Sequence, residues 1–453
     1  MRVLLDAVPL QSRPEAERDN SARPPRYRAV GRIDGPAIAS DRPLSILIAG
    51  GGIGGLTCAL ACAAQGLNVR VAERAETFRE IGAGIQITPN ALRVLCDLGL
   101  QAEVEALASK PKALEVRTRR GRRIVTMPLG RRFEKRHALP YLTIHRADLQ
   151  AVLARAAERD KRIALETGQE VVEFALHRRG LTVMADQASG QIEHAADVLV
   201  GADGIRSHIR PLMPGAREEK ATGWTAWRAL IPKDAFPETV APDRVGLWLG
   251  RDGHIVHYPV RGGAEFNVVI VTRDMSGDQE ASHSPKTGGR FEAWGRPIRD
   301  LISAAGDGWR AWAIATVRPN GIWAAGPVAL LGDAAHAMTP YLAQGGAMAI
   351  EDAAVLAAML AADPEDPPQA LQRYQAARQR RVKRVWRSAN ATADLYHMGA
   401  FTAPMRNLIM RAIGGRGLIG RYDWIYRWQP PKQARRPKAA RHGGPGEETR
   451  VPG

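Results

Sequence analysis

The segment from Ser45 to Glu73 limits the possible folds more than any other part of the chain. Ser45-Ile46-Leu47-Ile48-Ala49 is a short apolar run of the kind that forms a strand buried on both faces. It leads directly into Gly50-Gly51-Gly52-Ile53-Gly54-Gly55. In the pattern G-x-G-x-x-G, Gly50 allows a tight turn and Gly52 lets a pyrophosphate approach the backbone. Gly55 lets the following helix pack closely on the strand. Leu56–Gln65 reads as that helix, and Asn68–Ala72 as a second strand ending at Glu73, with Arg74 beside it. Glu73 stands 23 residues after Gly50, where a carboxylate can grip a ribose diol. Strand, glycines, helix, strand and acid in register predict a dinucleotide site in an α/β fold. No second unit of this kind follows, so any other nucleotide must visit without a Rossmann domain of its own.

A second stretch supplies the other half of such a site. Val328-Ala329-Leu330-Leu331 reads as a buried strand, followed by Gly332 and Asp333, a loop with Pro340, and Gly345-Gly346 at the head of an alanine-rich helix. The helix end offers N–H groups and a dipole that favour negative charge, and Asp333 can accept from a sugar-alcohol hydroxyl.

Between these stretches, Gly82–Asn90 is a glycine-rich loop entering a helix and carries Gly84 and Gln86. Tyr141–Leu149 is a strand meeting a helix start, with Arg146 placed to reach a phosphate or ring edge. Asp197–Gly201 is another buried strand, leading into Ala202-Asp203-Gly204-Ile205-Arg206-Ser207-His208-Ile209-Arg210. From Gly223 to Asp274 the texture becomes alternating strands with Trp224, Trp227, Trp248, Tyr258 and Phe266, an inserted antiparallel sheet. With 453 residues, 45% of them hydrophobic, the chain can bury two domains. The expected division is a disordered extension (1–43), a nucleotide-binding domain (44–215 and 317–395), an inserted domain (216–316), a helical region (396–430) and a disordered basic tail (431–453).

The net charge of +17 is concentrated. Lys110–His137 has eleven Lys/Arg against two acids, and Gln372–Ala393 has seven and none. Neither run is interleaved with aromatics and no nucleic-acid module is legible, so both read as solvated basic faces that steer anionic substrates. Cys58, Cys62 and Cys96 cannot form a disulfide framework and fit a reducing cytoplasm; no metal cluster completes them. With no 18-residue apolar run, the sequence predicts no membrane span, and the opening MRVLLDAVPL is too short an apolar stretch for a signal peptide.

Gly50–Gly55 with Glu73, Ala202–Arg210 and Gly332–Pro340 stand together in an order that resembles the single-component (class A) FAD-dependent aromatic hydroxylases, the p-hydroxybenzoate hydroxylase superfamily. The texture is similar to the salicylate hydroxylase, 3-hydroxybenzoate 6-hydroxylase and 6-hydroxynicotinate 3-monooxygenase branch, over about Ser45 to Trp428. The resemblance implies a Rossmann-like FAD-binding domain, an inserted mainly antiparallel β substrate domain and C-terminal helices. It implies bound FAD, NAD(P)H as co-substrate and O2, with a flavin hydroperoxide passing one oxygen to a small hydroxyaromatic acid. Asp203-Gly204 would serve flavin and nicotinamide, Asp333 the ribityl chain, and Gly345-Gly346 the pyrimidine end. Gly54, Gly84, Gln86, Arg146 and Pro340 complete the expected cofactor contacts.

The ring's proton needs an acceptor. Within Gly253–Val260, alternation puts His254, Val256 and Tyr258 on one face and His257 on the other. In the family this H-x-x-x-Y pair faces substrate, which makes His254 and Tyr258 the candidates; His336 and Tyr341 are further ones. Gln86 and Tyr341 stand where the hydroxynicotinate enzymes carry histidines, and Pro340 where 3-hydroxybenzoate 6-hydroxylase carries glutamine, so a salicylate-like acid is the expected substrate. The alternatives are a hydroxylase or epoxidase of larger polyketide or alkaloid substrates, and a non-catalytic flavin-binding redox sensor. A monomer or homodimer is expected.

Overall fold

Apolar strands that lack polar alternation must be covered on both faces, and the first sheet of the molecule meets that demand. In a computed structural model describing residues 44–78, 83–178, 180–273 and 291–431, six strands run in the order 324–325, 328–330, 198–201, 45–49, 68–73, 163–167. Ser45–Ala49 lies at the centre, parallel to Val198–Gly201 on one side and Asn68–Glu73 on the other. Ile46 and Ile48 are fully buried, as are Cys58 and Cys62 on the covering helix Ile53–Ala64.

Two glycines account for the close fit at the strand's end. Gly50 has φ +106°, and a side chain there would meet the carbonyl of Ala202. A Cβ on Gly55 would fall 1.9 Å from the carbonyl oxygen of Gly50. Any other residue at Gly55 would push the helix off the strand.

The second sheet has seven strands, in the order 310–317, 219–232, 265–273, 253–260, 244–250, 113–118, 123–128. All joints are antiparallel except Arg244–Gly250 with Ala113–Thr118. Two strands from the segment expected in the nucleotide-binding domain, Ala113–Thr118 and Arg123–Pro128, thus complete this sheet. The parallel joint explains why sequence order misleads, since its partners come from segments over a hundred residues apart. A two-stranded ribbon, Gly84–Ile87 with Leu142–His145, carries further site residues, and a three-stranded sheet contributes Glu170 and Val171.

The helix Gly345–Ala362 is long and apolar enough, by length and composition, to cross a membrane. It is a core helix instead, and its Glu351 and Asp352 are fully buried. Their charges are met by the neighbouring helix Pro367–Tyr396. Arg378 places Nη1 2.7 Å from Glu351 and Nε 2.7 Å from Asp352, while Arg381 grips Glu351 as well. The Gln372–Ala393 run is thus only partly a solvated face, because Arg378 is 1% exposed. Burial would lower the Arg378 guanidinium, but the two carboxylates outweigh it and raise it. Helices Ala403–Gly420 and Asp423–Tyr426 close the described chain. The expected disordered extension, and the tail beyond residue 431, lie outside the described residues.

Candidate active site

The two sheets meet over a pair of cavities that join through Gly52, Ala202, Gly204, Arg146 and Arg228. The larger, about 530 Å³, lies at the carboxyl ends of the central strands and is lined by Gly50, Glu73, Arg74 and Asp203. Glu73 accepts from the backbone N–H of Gly51 at 2.6 Å and of Ala75 at 2.9 Å, which fixes its carboxylate at the rim. Arg74 sits beside Glu170 at 3.7 Å. Asp203 accepts from His208 and Ile209 N–H with Oδ2, while its Oδ1 is buried with no hydrogen-bond partner among the described residues. A buried, unsatisfied carboxylate oxygen beside a cavity is a site waiting for a donor.

The smaller cavity, about 310 Å³, is the one that can hold a reacting ring. Gly54, Gly84, Gln86, Asp333, Pro340, Gly345 and Gly346 line one side of it. Gln344, which precedes the long helix, makes no side-chain cap, so the N–H groups at Gly345 keep their anion-attracting role. Gln344 is committed elsewhere, donating to Thr88 and accepting from Asn90. Gln86 accepts from the Tyr141 hydroxyl. The opposite wall is the large sheet, and the expected register holds: His254, Val256 and Tyr258 face in, joined by Val269 and Val271 from the paired strand. His257 points away and packs near Trp248 and Phe236.

Burial decides the protonation of this wall. The His254 imidazole is held well below its ordinary value by burial, with His397 adding to the effect. Burial raises the Tyr258 phenol to about 12 despite the opposing pull of Arg228, Arg146 and Gln86. At neutral pH the wall therefore presents a neutral imidazole and an intact phenol. Tyr341 is adjacent, its ring 5.2 Å from His254, and burial pushes it to about 12 also.

His336 is not at the cavity, which corrects the expectation for it. It is fully buried, and its Nε2 lies 2.5 Å from Asp352. Burial would raise the Asp352 carboxyl, but His336 and Arg378 outweigh it and hold it below the ordinary range. Asp333, at the head of the short helix Asp333–His336, is exposed and lines the cavity, whereas His336 at its end is buried in the core.

Three contributors were missed in the sequence. Asn267 accepts from Gly84 N–H at 2.8 Å and is paired in register with Tyr258. A buried amide inside the apolar run Phe266–Ile270 was a usable signal. Arg228 lines both cavities and lies over the Trp312 ring at 5.3 Å; a lone charge between Trp227 and Ala229 marked it. His397, 3.1 Å from His254, comes from a helix end 143 residues away, and nothing local marked it.

A profile of the family described as FAD binding domain matches residues 44–389, most of the chain. The chain belongs to this family. It is 34% identical to 3-hydroxybenzoate 6-hydroxylase of Polaromonas naphthalenivorans over 401 residues, covering 86% of this chain and 98% of that one. It is 33% identical to 6-hydroxynicotinate 3-monooxygenase of Pseudomonas fluorescens over 322 residues, covering 70% and 82%. Among solved structures, Klebsiella pneumoniae HpxO complexed with FAD and uric acid superposes with a TM-score of 0.74 at 26% identity, covering 84% of this chain and 96% of that chain. The molecule is a single-component FAD-dependent aromatic hydroxylase, and its cavities fit the cofactor. Gly52 lines both cavities and Gly50 the larger, so the backbone there is open to a pyrophosphate, and Asp203 offers the unsatisfied acceptor.

Proposed function

We propose that this hydroxylase uses NAD(P)H and O2 to add a hydroxyl group to a small hydroxyaromatic acid, salicylate-like or hydroxybenzoate-like, over bound FAD. The observation that carries the reading is the shared cavity: His254 and Tyr258 face the same space as Asp333, Gly345 and Gly346. Glu73 and Arg74 would hold the adenosine end, Asp203 and Gly204 the pyrophosphate and the visiting nicotinamide, and Asp333 the ribityl chain. Gly84, Gln86, Pro340 and the Gly345 helix end would frame the flavin ring. Reduced flavin supplies the oxygen activation. The chain's own part is to prepare the substrate. His254, kept neutral by burial, takes the ring hydroxyl's proton and makes the ring electron-rich. Tyr258 stays a phenol and positions the same oxygen, with Tyr341 packed behind His254. Val256, Val269 and Val271 keep water from the reaction. Arg146 and Arg228 favour an anionic ligand.

Size selects among substrates. About 310 Å³ must take a flavin ring and a substrate together, which favours a single-ring acid over a polyketide. The same reading places the enzyme in a reducing cytoplasm, where the buried thiols Cys58 and Cys62 persist, as a monomer or homodimer. The deciding assay is NADH and NADPH oxidation with a panel of hydroxybenzoates and hydroxypyridine carboxylates, with hydrogen peroxide measured alongside. Stimulation with little peroxide supports the reading. Stoichiometric peroxide marks the acid as an effector only, and no stimulation by any acid overturns the reading. Heat-released flavin should be FAD rather than FMN. Glu73→Ala should weaken its retention by about 1–3 kcal/mol, the worth of a charge-assisted hydrogen bond.

A further inference from the structure

We infer that His397 is a positioning residue for His254, holding that imidazole in one tautomer and passing the substrate's proton on to solvent. The inference rests on the reading of His254 as the proton acceptor. Nδ1 of His254 and Nε2 of His397 are 3.1 Å apart, so one nitrogen donates to the other. His254 is buried, whereas His397 is half-buried, so the pair leads from the closed cavity outward. The His397 ring is held firmly. It stacks on Trp224 with centroids 4.2 Å apart and planes 19° apart, and Arg273 lies over the other ring of that stack at 5.4 Å. The helix end that carries it is pinned as well, because Arg406 donates to the carbonyls of Leu395 and Tyr396. A ring fixed this closely beside a cavity histidine sets the direction of one hydrogen bond.

The direction matters chemically. With Nε2 of His397 accepting, His254 carries its hydrogen on Nδ1 and turns an unprotonated Nε2 to the substrate, the form that a phenol can donate to. The proton then moves in three balanced steps. The phenol O–H proton goes to Nε2 of His254, the Nδ1 proton of His254 goes to Nε2 of His397, and the Nδ1 proton of His397 goes to water. Neither ring keeps a charge. The surroundings oppose storage of one: burial, with Arg273 and Arg406 adding to it, lowers His397 to about 4 against the opposing pull of Asp252. Burial and His397 together lower His254. The other groups facing the pair are the phenols of Tyr341 and Tyr396, at 5.2 and 5.4 Å from the His254 ring, and Asp394 beyond Tyr341. A conjugate acid weakened in this way hands its proton on rather than holding it.

The test uses holoenzyme with 3-hydroxybenzoate and salicylate as probes and a pH-indicator dye in a stopped-flow instrument. Proton release on binding is followed before NAD(P)H is added. His397→Ala should slow release by about tenfold or more, and by more than it slows flavin reduction, with partial recovery in added imidazole. His397→Gln keeps an acceptor for Nδ1 but cannot pass a proton on, so it should bind the acid normally and stay slow with or without imidazole. In substrate-free holoenzyme, ¹⁵N shifts of labelled histidine should place the His254 hydrogen on Nδ1, and His397→Ala should lose that preference. Release within twofold of the wild-type rate in both variants overturns the inference. So does equal slowing of flavin reduction and proton release, or a wild-type hydrogen on Nε2. Wild-type protein that binds neither acid, or binds without releasing a proton, counts against the base reading of His254, and the tautomer measurement still decides the role of His397.

Discussion

His336 and His254 are both withdrawn from water, at 0% and 3% exposure, in two regions built to opposite ends. His336 lies among carboxylates and guanidinia, with Asp352 at 2.5 Å and Arg378 bridging Asp352 to Glu351. Every charge there has a counter-charge, and the cluster ties the core helix to the loop that bears Asp333. His254 has aromatic rings and a second imidazole for neighbours, and no carboxylate forms an ion pair with it among the described residues. Pairing with an acid ties a buried histidine into the scaffold. Denying it an acid leaves a neutral ring that can accept a proton. The position of a histidine near a cofactor loop is thus poor evidence for catalysis until its counter-ions are known.

The comparison breaks most visibly at Arg378. Arg378→Met should leave Glu351 and Asp352 buried with too little positive charge and cost about 3–5 kcal/mol. Thermal and urea unfolding would register it, and full stability in the variant would mean the cluster is not what holds these helices. Next comes His254→Ala, expected to cut product formation by about 100- to 10,000-fold while flavin reduction suffers less. NAD(P)H should then be consumed with rising peroxide, a result read from product and peroxide yields together. His336→Asn sharpens the contrast. A stability loss of about 1–3 kcal/mol is expected, with coupling of NAD(P)H to product preserved; uncoupling without destabilisation would return His336 to the chemistry.

The smallest effect concerns His257, on the far side of the same strand. Burial and then Arg117 lower its imidazole from 6.5 to about 3. The unfolded chain takes a proton there near pH 6.5, and the folded chain refuses it until about pH 3. Its contribution to stability is therefore complete above pH 6.5 and is lost as pH falls through that window. His257→Gln should flatten the acid side of a melting-temperature profile and leave coupling nearly unchanged. Uncoupling in this variant instead of in His254→Ala would put the strand one residue out of register.

The nucleotide half was legible because its determinants are local. A turn that only glycine can make, a helix that must touch a strand, and an acid at a fixed remove all lie within Ser45–Glu73. The face of the Gly253–Val260 strand was legible for a similar reason, since alternation is a property of a few consecutive residues. What escaped was whatever depended on distant chain. Asp352 captures His336 across sixteen residues of loop and helix, and sequence spacing around a turn does not show which side chain goes inward. Ala113–Pro128 joined the far sheet through a parallel pairing, and His397 reached His254 from the end of a thirty-residue helix.

That parallel pairing bears on how such an enzyme can be re-engineered or recombined. A graft of residues 216–316 into a sister protein would arrive with the Arg244–Gly250 edge bare, seeking a neighbour that its own segment does not encode. The host's counterpart of Ala113–Thr118 would have to accept it, register included, or the foreign sheet would offer that edge to other chains. The portable unit is thus two pieces of sequence, and crossovers that exchange one without the other should yield insoluble protein rather than new specificity.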